Sequence, residues 1–160
     1  MSDAIKHECG IALIRLRKPL SHFQQKYGTA FHGLNKLYLL MEKQHNRGQD
    51  GAGIASIKLD PAPGLNYIDR ERSTDKQAIQ KIFGKVNKGY TEALAHDASI
   101  ANDAERMKSA VPFLGEVLLG HLRYATFSGS GEENCHPRHR LNNWMTRNLV
   151  VAGNFNMTNV

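Results

Sequence analysis

Four short apolar runs limit what this chain of 160 residues can fold into more than any other feature of its sequence. Runs of this length, bounded by turn-forming residues and rich in aliphatic side chains, are typical of strands buried in a sheet. No apolar stretch approaches the roughly 20 residues that are needed to cross a bilayer. We therefore predict strands at CGIALIRL (9–16), IASIKL (54–59), EVLLGHLRY (116–124) and RNLVVAG (147–153).

Stretches with helical periodicity supply the elements that can cover this sheet. Apolar residues recur at helical spacing over 34–44 and again over 79–94, and a shorter helix is predicted at 102–110. Residues 65–72 predict a hairpin partner for the second strand. Residues 17–33 contain a proline and two glycines, so we predict an irregular surface excursion there. The expected fold class is α+β, with helices layered on a sheet.

The net charge of +6 bears on function, because basic proteins often bind nucleic acid or phosphate-rich ligands. The basic residues, however, are spread through the chain with no run of five or more. We interpret the charge as a solvated surface and expect neither nucleic acid nor a membrane as a partner.

The two cysteines, Cys9 and Cys135, are far apart in the sequence and give no disulfide framework. Such sparse cysteines suit a reducing compartment. Residues 1–8 contain no apolar run of the kind found in a secretory signal. The expected location is therefore cytoplasmic.

Cys9 carries the strongest chemical signal, because it begins the first apolar run after only eight residues. If residues 1–8 are removed, Cys9 has both a thiol and a free α-amine. An α-amine with a reference pKa of about 7.7–8.0 can accept the thiol proton and so activate the nucleophile. The alternative interpretation is that Cys9 is a small apolar residue that opens a buried strand.

Two further segments place polar side chains at predicted strand ends. GHLRYAT (120–126) carries Arg123 and Thr126, and GNFNMTN (153–159) carries Asn154. Loops that follow the strands of a rigid sheet often supply binding and catalytic groups. Each residue also has a structural interpretation, since Arg123 can pair with a carboxylate and Asn154 can fix a turn.

Together with HNRGQDGAGI (45–54), these segments resemble the successive motifs of the class II glutamine amidotransferases, which are N-terminal-nucleophile hydrolases. The wording of the motifs is most similar to that of the amidophosphoribosyltransferases, which begin purine synthesis. The resemblance implies a four-layer α/β/β/α sandwich that is incomplete at the C-terminus of this chain. It also implies that residues 1–8 are a prosegment and that 9–160 are the N-terminal part of a type-2 glutamine amidotransferase domain.

The resemblance implies a role for each matching residue. Cys9 would attack the side-chain amide of glutamine, form a γ-glutamyl thioester and release ammonia. Arg123 would hold the α-carboxylate of glutamine, with Thr126 as a secondary contact. The side chain of Asn154 and the backbone N–H of Phe155 would stabilise the oxyanion.

A second set of expectations concerns Arg47 and the departures from the family pattern. Arg47 resembles the family arginine near the nucleophile, where a positive charge favours the thiolate. The family turn usually reads His-Asn-Gly-Asn, whereas this chain has Gly153 and Phe155 around Asn154. A phenylalanine at the glycine position puts the geometry of the oxyanion hole in doubt, because positive φ is strained for it.

The resemblance also implies functional parts beyond Val160. These are the aspartate that binds the α-amino group of glutamine and a phosphoribosyltransferase domain with its Mg²⁺ site. In the full-length protein, ammonia would pass to phosphoribosyl pyrophosphate to make 5-phosphoribosylamine. We expect this chain alone to be inactive and to hold no cofactor, and the full-length protein to be a homo-oligomer.

Other functions stay open on the residues alone. The CHPRH cluster (135–139), with His121 and His45 elsewhere, suggests a metal-binding module, although zinc sites commonly use paired short-spaced motifs. The chain can also be a non-catalytic binding or regulatory piece. Among enzymes, the rivals are the glutaminase domains of glucosamine-6-phosphate synthase and asparagine synthetase, since the ammonia acceptor depends on a second domain.

Overall fold

A four-stranded antiparallel sheet forms the centre of the computed structural model, which describes residues 8–125 and 131–154. The fourth strand of the chain pairs with the first strand on one side and with the second on the other. It therefore joins segments that are far apart in sequence. A short antiparallel hairpin forms a second sheet. In the order β1-β4-β2-β3, followed by the hairpin β5-β6, the strands are β1 Gly10–Arg15, β4 Val117–Arg123, β2 Gly51–Ile57, β3 Ile68–Ser73, β5 Arg138–Arg140 and β6 Leu149–Val151.

Helices cover one face of the four-stranded sheet. The described residues form the α-helices α1 Leu20–Tyr27, α2 His32–Lys43, α3 Ala78–His96 and α4 Ala104–Ala110, with short 3₁₀ turns such as His45–Arg47. Helix α2 packs directly on β4, since a Cβ at Gly120 would lie 2.7 Å from the sulfur of Met41 and 3.1 Å from a methyl of Leu37. We call this the helix face, and the opposite side of the same sheet the second face.

Side chains of β4 alternate between the two faces, as the two-residue period of a strand requires. Leu118 and Leu122 point to the helix face and join the apolar core with Leu37 of α2. His121 lies on the second face, where its ring is 4.8 Å from that of His136. Complete burial of an aliphatic side chain such as Leu37 stabilises a fold by about 1.5–3 kcal/mol.

The α+β class is confirmed, and so are most of the predicted elements. The predicted strands at 9–16, 116–124 and 147–153 correspond to β1, β4 and β6. The hairpin partner predicted at 65–72 is β3, which pairs with β2. The helices predicted at 34–44, 79–94 and 102–110 are α2, α3 and α4.

Two predictions about local structure were wrong. Residues 17–33 are not an irregular excursion, because eight of them form helix α1, whose Leu20 is fully buried. The second strand begins at Gly51 rather than Ile54. Gly51 and Gly53 are glycines within the strand because the segment from Cys135 to His136 packs so closely against them that a Cβ would collide with it.

The second face is only partly covered within the described residues. His136 and the residues around it pack over β2 and β4, whereas Ile11 and Leu13 of β1 are 44% and 65% exposed. Among residues 8–125 and 131–154, no helix has both the length and the apolar character needed to cross a bilayer.

Candidate active site

Cys9 lies at the end of the sheet where β1 begins and β4 ends. Its side chain is half-buried, and the backbone N–H of Tyr124 donates to its Sγ at 3.5 Å. Gly10 pairs with Leu122 in the antiparallel ladder, so the next step of that register sets Cys9 opposite Arg123. Residues opposite one another in a ladder point to the same face. Cys9 and Arg123 therefore share one end of the second face.

Arg123 is buried at this end, with only 3% of its surface exposed. Its Nη1 donates to the carbonyl oxygen of Gly131 at 3.4 Å. The guanidinium also lies near Cys135, where burial raises the pKa of the thiol and the charge of Arg123 opposes that rise. The segment 131–135 thus covers Arg123 from the side of β2. Cys9 lies on the other side of β4, next to β1.

The loop between α2 and β2 packs against the same end of β4. A Cβ at Gly48 would lie 2.7 Å from backbone atoms of β4, which explains a glycine there. The backbone N–H of Asp50 donates to the carbonyl oxygen of Arg123 at 3.0 Å. The carboxylate of Asp50 accepts from the N–H of Ala125 at 2.8 Å. Asp50 therefore fixes the chain where it leaves β4, a role that the sequence interpretation missed although the residue lies within HNRGQD.

Arg47 reaches the residue that precedes the cysteine. Its Nη2 lies 3.3 Å from a carboxylate oxygen of Glu8, and the two side chains are 54% and 49% exposed. Exposed ion pairs contribute at most about 1 kcal/mol. The structure thus places Arg47 beside the backbone that enters Cys9, with its charge directed to Glu8.

Asn154 is exposed at the end of the described chain. The residue before it, Gly153, lies against His136, whose Nδ1 is 3.0 Å from its carbonyl oxygen and 3.3 Å from its amide nitrogen. Because His136 packs against His121, the start of this turn reaches the second face. Thr126 and Phe155 lie outside the described residues.

Histidines next to this end of the sheet are held in their neutral form. Burial lowers the pKa of His121 to about 4, and the nearby His136 and Arg123 add to that effect. Burial is also the main cause that lowers the pKa of His136 and of His139. Neutral imidazoles near neutral pH leave Arg123 as the main positive charge beside Cys135 and His121.

The residues of the CHPRH cluster point in different directions. Cys135 lies beneath Gly51, His136 faces Gly153, and His139 lies near Arg70 and Arg72. Within 8–125 and 131–154, no group of three or more His, Cys, Asp or Glu side chains is placed to hold a metal ion.

Comparison with known proteins gave no assignment to a family. No family model matches the sequence, and neither curated proteins nor solved structures gave a significant match. The function is therefore inferred from the residues and their geometry.

Proposed function

We propose that this chain is the glutaminase part of a class II glutamine amidotransferase of the amidophosphoribosyltransferase type. The observation that supports this most is the position of Cys9, which precedes a strand and lies opposite Arg123 in the ladder between β1 and β4. Glutamine hydrolysis needs a nucleophile and a group that binds the substrate, and this end of the sheet offers a thiol and a guanidinium that suits a carboxylate.

The chemistry begins with the thiol of Cys9. Its free α-amine accepts the thiol proton, and the thiolate attacks the side-chain carbonyl carbon of glutamine. The C–N bond breaks, the proton goes to the leaving ammonia, and a γ-glutamyl thioester remains. Water then hydrolyses the thioester to glutamate. Asn154 and the N–H of Phe155 stabilise the oxyanion in both steps.

Arg123 binds the α-carboxylate of glutamine in this proposal, with Thr126 as a secondary contact. The planar guanidinium suits a carboxylate because it offers two parallel N–H donors. Its contact with the carbonyl oxygen of Gly131 is 3.4 Å long, and a carboxylate would add charge–charge attraction that a carbonyl oxygen does not offer.

Maturation precedes catalysis, since the nitrogen of Cys9 is bonded to Glu8 before cleavage and an amide nitrogen is not a base. The thiol attacks the carbonyl carbon of Glu8, the C–N bond breaks, and a thioester links Glu8 to the side chain of Cys9. Water then releases the prosegment and frees both the thiol and the amine. The ion pair between Arg47 and Glu8 holds the scissile residue at the entry to β1.

The remaining parts of the proposal concern the whole protein. Ammonia passes to phosphoribosyl pyrophosphate, whose Mg²⁺ belongs to a phosphoribosyltransferase domain. The fold is the four-layer sandwich of N-terminal-nucleophile hydrolases, in which a second sheet covers the open part of the second face at β1. The partly covered second face, with Ile11 and Leu13 exposed, supports this arrangement.

The test is glutaminase turnover in the mature protein that carries this sequence, with two matched cysteine variants. Cys9→Ala should lower kcat for glutamate release by about 10⁴-fold or more, because the nucleophile is lost. Cys135→Ala should keep most of the activity, since that thiol is buried under Gly51. Intact mass must show loss of residues 1–8. Turnover that survives in Cys9→Ala, or that occurs with residues 1–8 attached, would refute the proposal.

A second variant tests the role of Arg123. Arg123→Lys keeps the charge but loses the planar fork, so KM for glutamine should rise more than kcat falls. Arg17→Lys is the matched control, since Arg17 is exposed and lies outside the candidate site. Equal effects of the two substitutions on KM would show that Arg123 does not bind the substrate.

A further inference from the structure

Two arginines of β3 lie on the second face, and the charge of a third arginine acts on one of them. Arg70 and Arg72 are two residues apart on β3 and lie opposite Ala55 and Gly53 of β2, so both side chains point to that face. The positive charge of Arg138, an exposed residue at the start of β5, also acts on Arg70. We call these three residues the arginine cluster.

Arg72 is held in place by backbone acceptors. Its Nη1 donates to the carbonyl oxygens of Glu133 and Cys135, both at 3.1 Å. Its other guanidinium nitrogens make no hydrogen bond within 8–125 and 131–154. One edge of the guanidinium is thus fixed to the protein while further donors stay available.

Arg70 is half-buried and makes no hydrogen bond or ion pair with any residue of the described ranges. Burial lowers the pKa of its guanidinium, and the charges of Arg72 and Arg138 lower it further. Gathering such groups without an anion is unfavourable, because each positive charge disfavours the others.

Few carboxylates compensate this charge. Glu132 attracts Arg70, but it is one negative charge against three guanidiniums. Glu71 also attracts Arg70, yet its carboxylate is bound by Lys85 of α3 at 2.8 Å, on the helix side of β3. His139 lies beside Arg70 and Arg72, and its buried Nδ1 has no hydrogen-bond partner among the described residues.

We propose that the arginine cluster binds a phosphate-type oxyanion, with Arg70 and Arg72 as its main ligands, His139 beside them and Arg138 contributing only its charge. Planar guanidiniums match tetrahedral oxyanions because each presents parallel N–H donors. A small ligand fits better than a nucleic acid, since the two main ligands are neighbours on one face of β3. The site is separate from the glutamine chemistry proposed at Cys9 and stands whether or not that proposal holds.

Binding of inorganic phosphate and of pyrophosphate to the 160-residue chain tests the proposal. Titration calorimetry in chloride buffer gives the affinities, and two-dimensional NMR of the arginine Nε–H groups in the unmutated chain shows which residues respond. We expect the signals of Arg70 and Arg72 to shift on addition of either anion. Pyrophosphate should bind more tightly than phosphate, because it offers more oxygens and charge to the same donors.

Matched variants separate the cluster from general charge effects. Arg70→Gln should weaken anion binding by roughly tenfold or more, since a hydrogen bond to a charged group contributes about 1.5–3 kcal/mol. Arg70→Lys should weaken it less. Arg17→Gln removes one positive charge from an exposed position after β1 and should change the affinity less than about twofold. Thermal unfolding without ligand verifies that each variant is folded.

Three results would overturn the proposal. The first is equal loss of affinity in Arg70→Gln and Arg17→Gln. The second is an unmutated chain in which the Nε–H signals of Arg70 and Arg72 do not respond, a result that does not depend on how the variants fold. The third is duplex DNA that binds more tightly than pyrophosphate at equal phosphate concentration, which would indicate a nucleic-acid surface instead.

Discussion

The environment of His121 predicts a loss of stability in mild acid. The side chain is 2% exposed and lies on β4 between Ile11 of β1 and Gly53 of β2. The ring of His136 lies 4.8 Å away, and Arg123 is two residues further along the strand. Protonation would therefore bury a positive charge beside other cationic groups, which the unfolded chain avoids.

The size of the effect follows from the pKa of His121, which falls from 6.5 to about 4 in the fold. Protonation of this residue therefore costs the folded state about 3 kcal/mol relative to the unfolded chain. Because the folded pKa is the lower one, the unfolded chain takes up the proton first as the pH falls. The stability is fully present above about pH 6.5 and is lost progressively down to about pH 4.

The assay is urea denaturation followed by circular dichroism at about pH 7 and about pH 4. The loss of unfolding free energy between these values should be smaller in His121→Gln than in the unmutated chain by about 3 kcal/mol. His96→Gln, at the exposed end of α3, should keep the full loss. Burial also lowers the pKa of His136 and His139, so part of the loss in acid remains in His121→Gln. Equal losses in His121→Gln and the unmutated chain would refute the reasoning.

Two further predictions concern packing and buried charge, and both are checked by urea denaturation. Gly53→Ala should destabilise the fold by about 1–3 kcal/mol or more, because a Cβ there meets the backbone of His136, whereas Gly84→Ala in α3 meets nothing within 4 Å and should stabilise it by about 0.5–1 kcal/mol. Lys108→Met should cost about 3–5 kcal/mol, since it leaves Glu116 buried without its 2.6 Å partner, whereas Lys88→Met at an exposed pair should cost less than about 0.5 kcal/mol. Similar effects within either pair of variants would contradict the corresponding argument.

The sequence predicts the central strands and the long helices because their patterns are local. Helix α1 was missed for a reason that is also local. Pro19 and Gly28 suggested an irregular segment, yet Pro19 precedes the first residue of the helix and Gly28 ends it with a φ of 74°. Proline before a helix and glycine after it are favourable at those ends. The same two residues that predict a loop therefore also mark the limits of a short helix.

The glycines of β2 show what a local pattern cannot supply. Gly51 and Gly53 suggest a turn when only their neighbours in sequence are considered. In the structure they are strand residues, and the need for glycine there comes from Cys135 and His136, more than eighty residues further along the chain. Atoms of these two residues occupy the space that a Cβ would take. The candidate site behaves similarly. Its residues can be named from motifs, but the contact of Cys9 with Tyr124, 115 residues further along the chain, depends on the pairing of β1 with β4.

The hydropathy of β4 does not distinguish the apolar face of the strand from the face that carries the site residues. The run VLLGHLR suggests a strand buried on both faces, and both faces are indeed buried. The burial differs in kind, because Leu118 and Leu122 face an apolar helix layer whereas His121 and Arg123 face the segment 131–136. A strand with such residues is stable only if that segment supplies acceptors and keeps water out. The contacts that stabilise β4 are therefore also the contacts that surround Arg123.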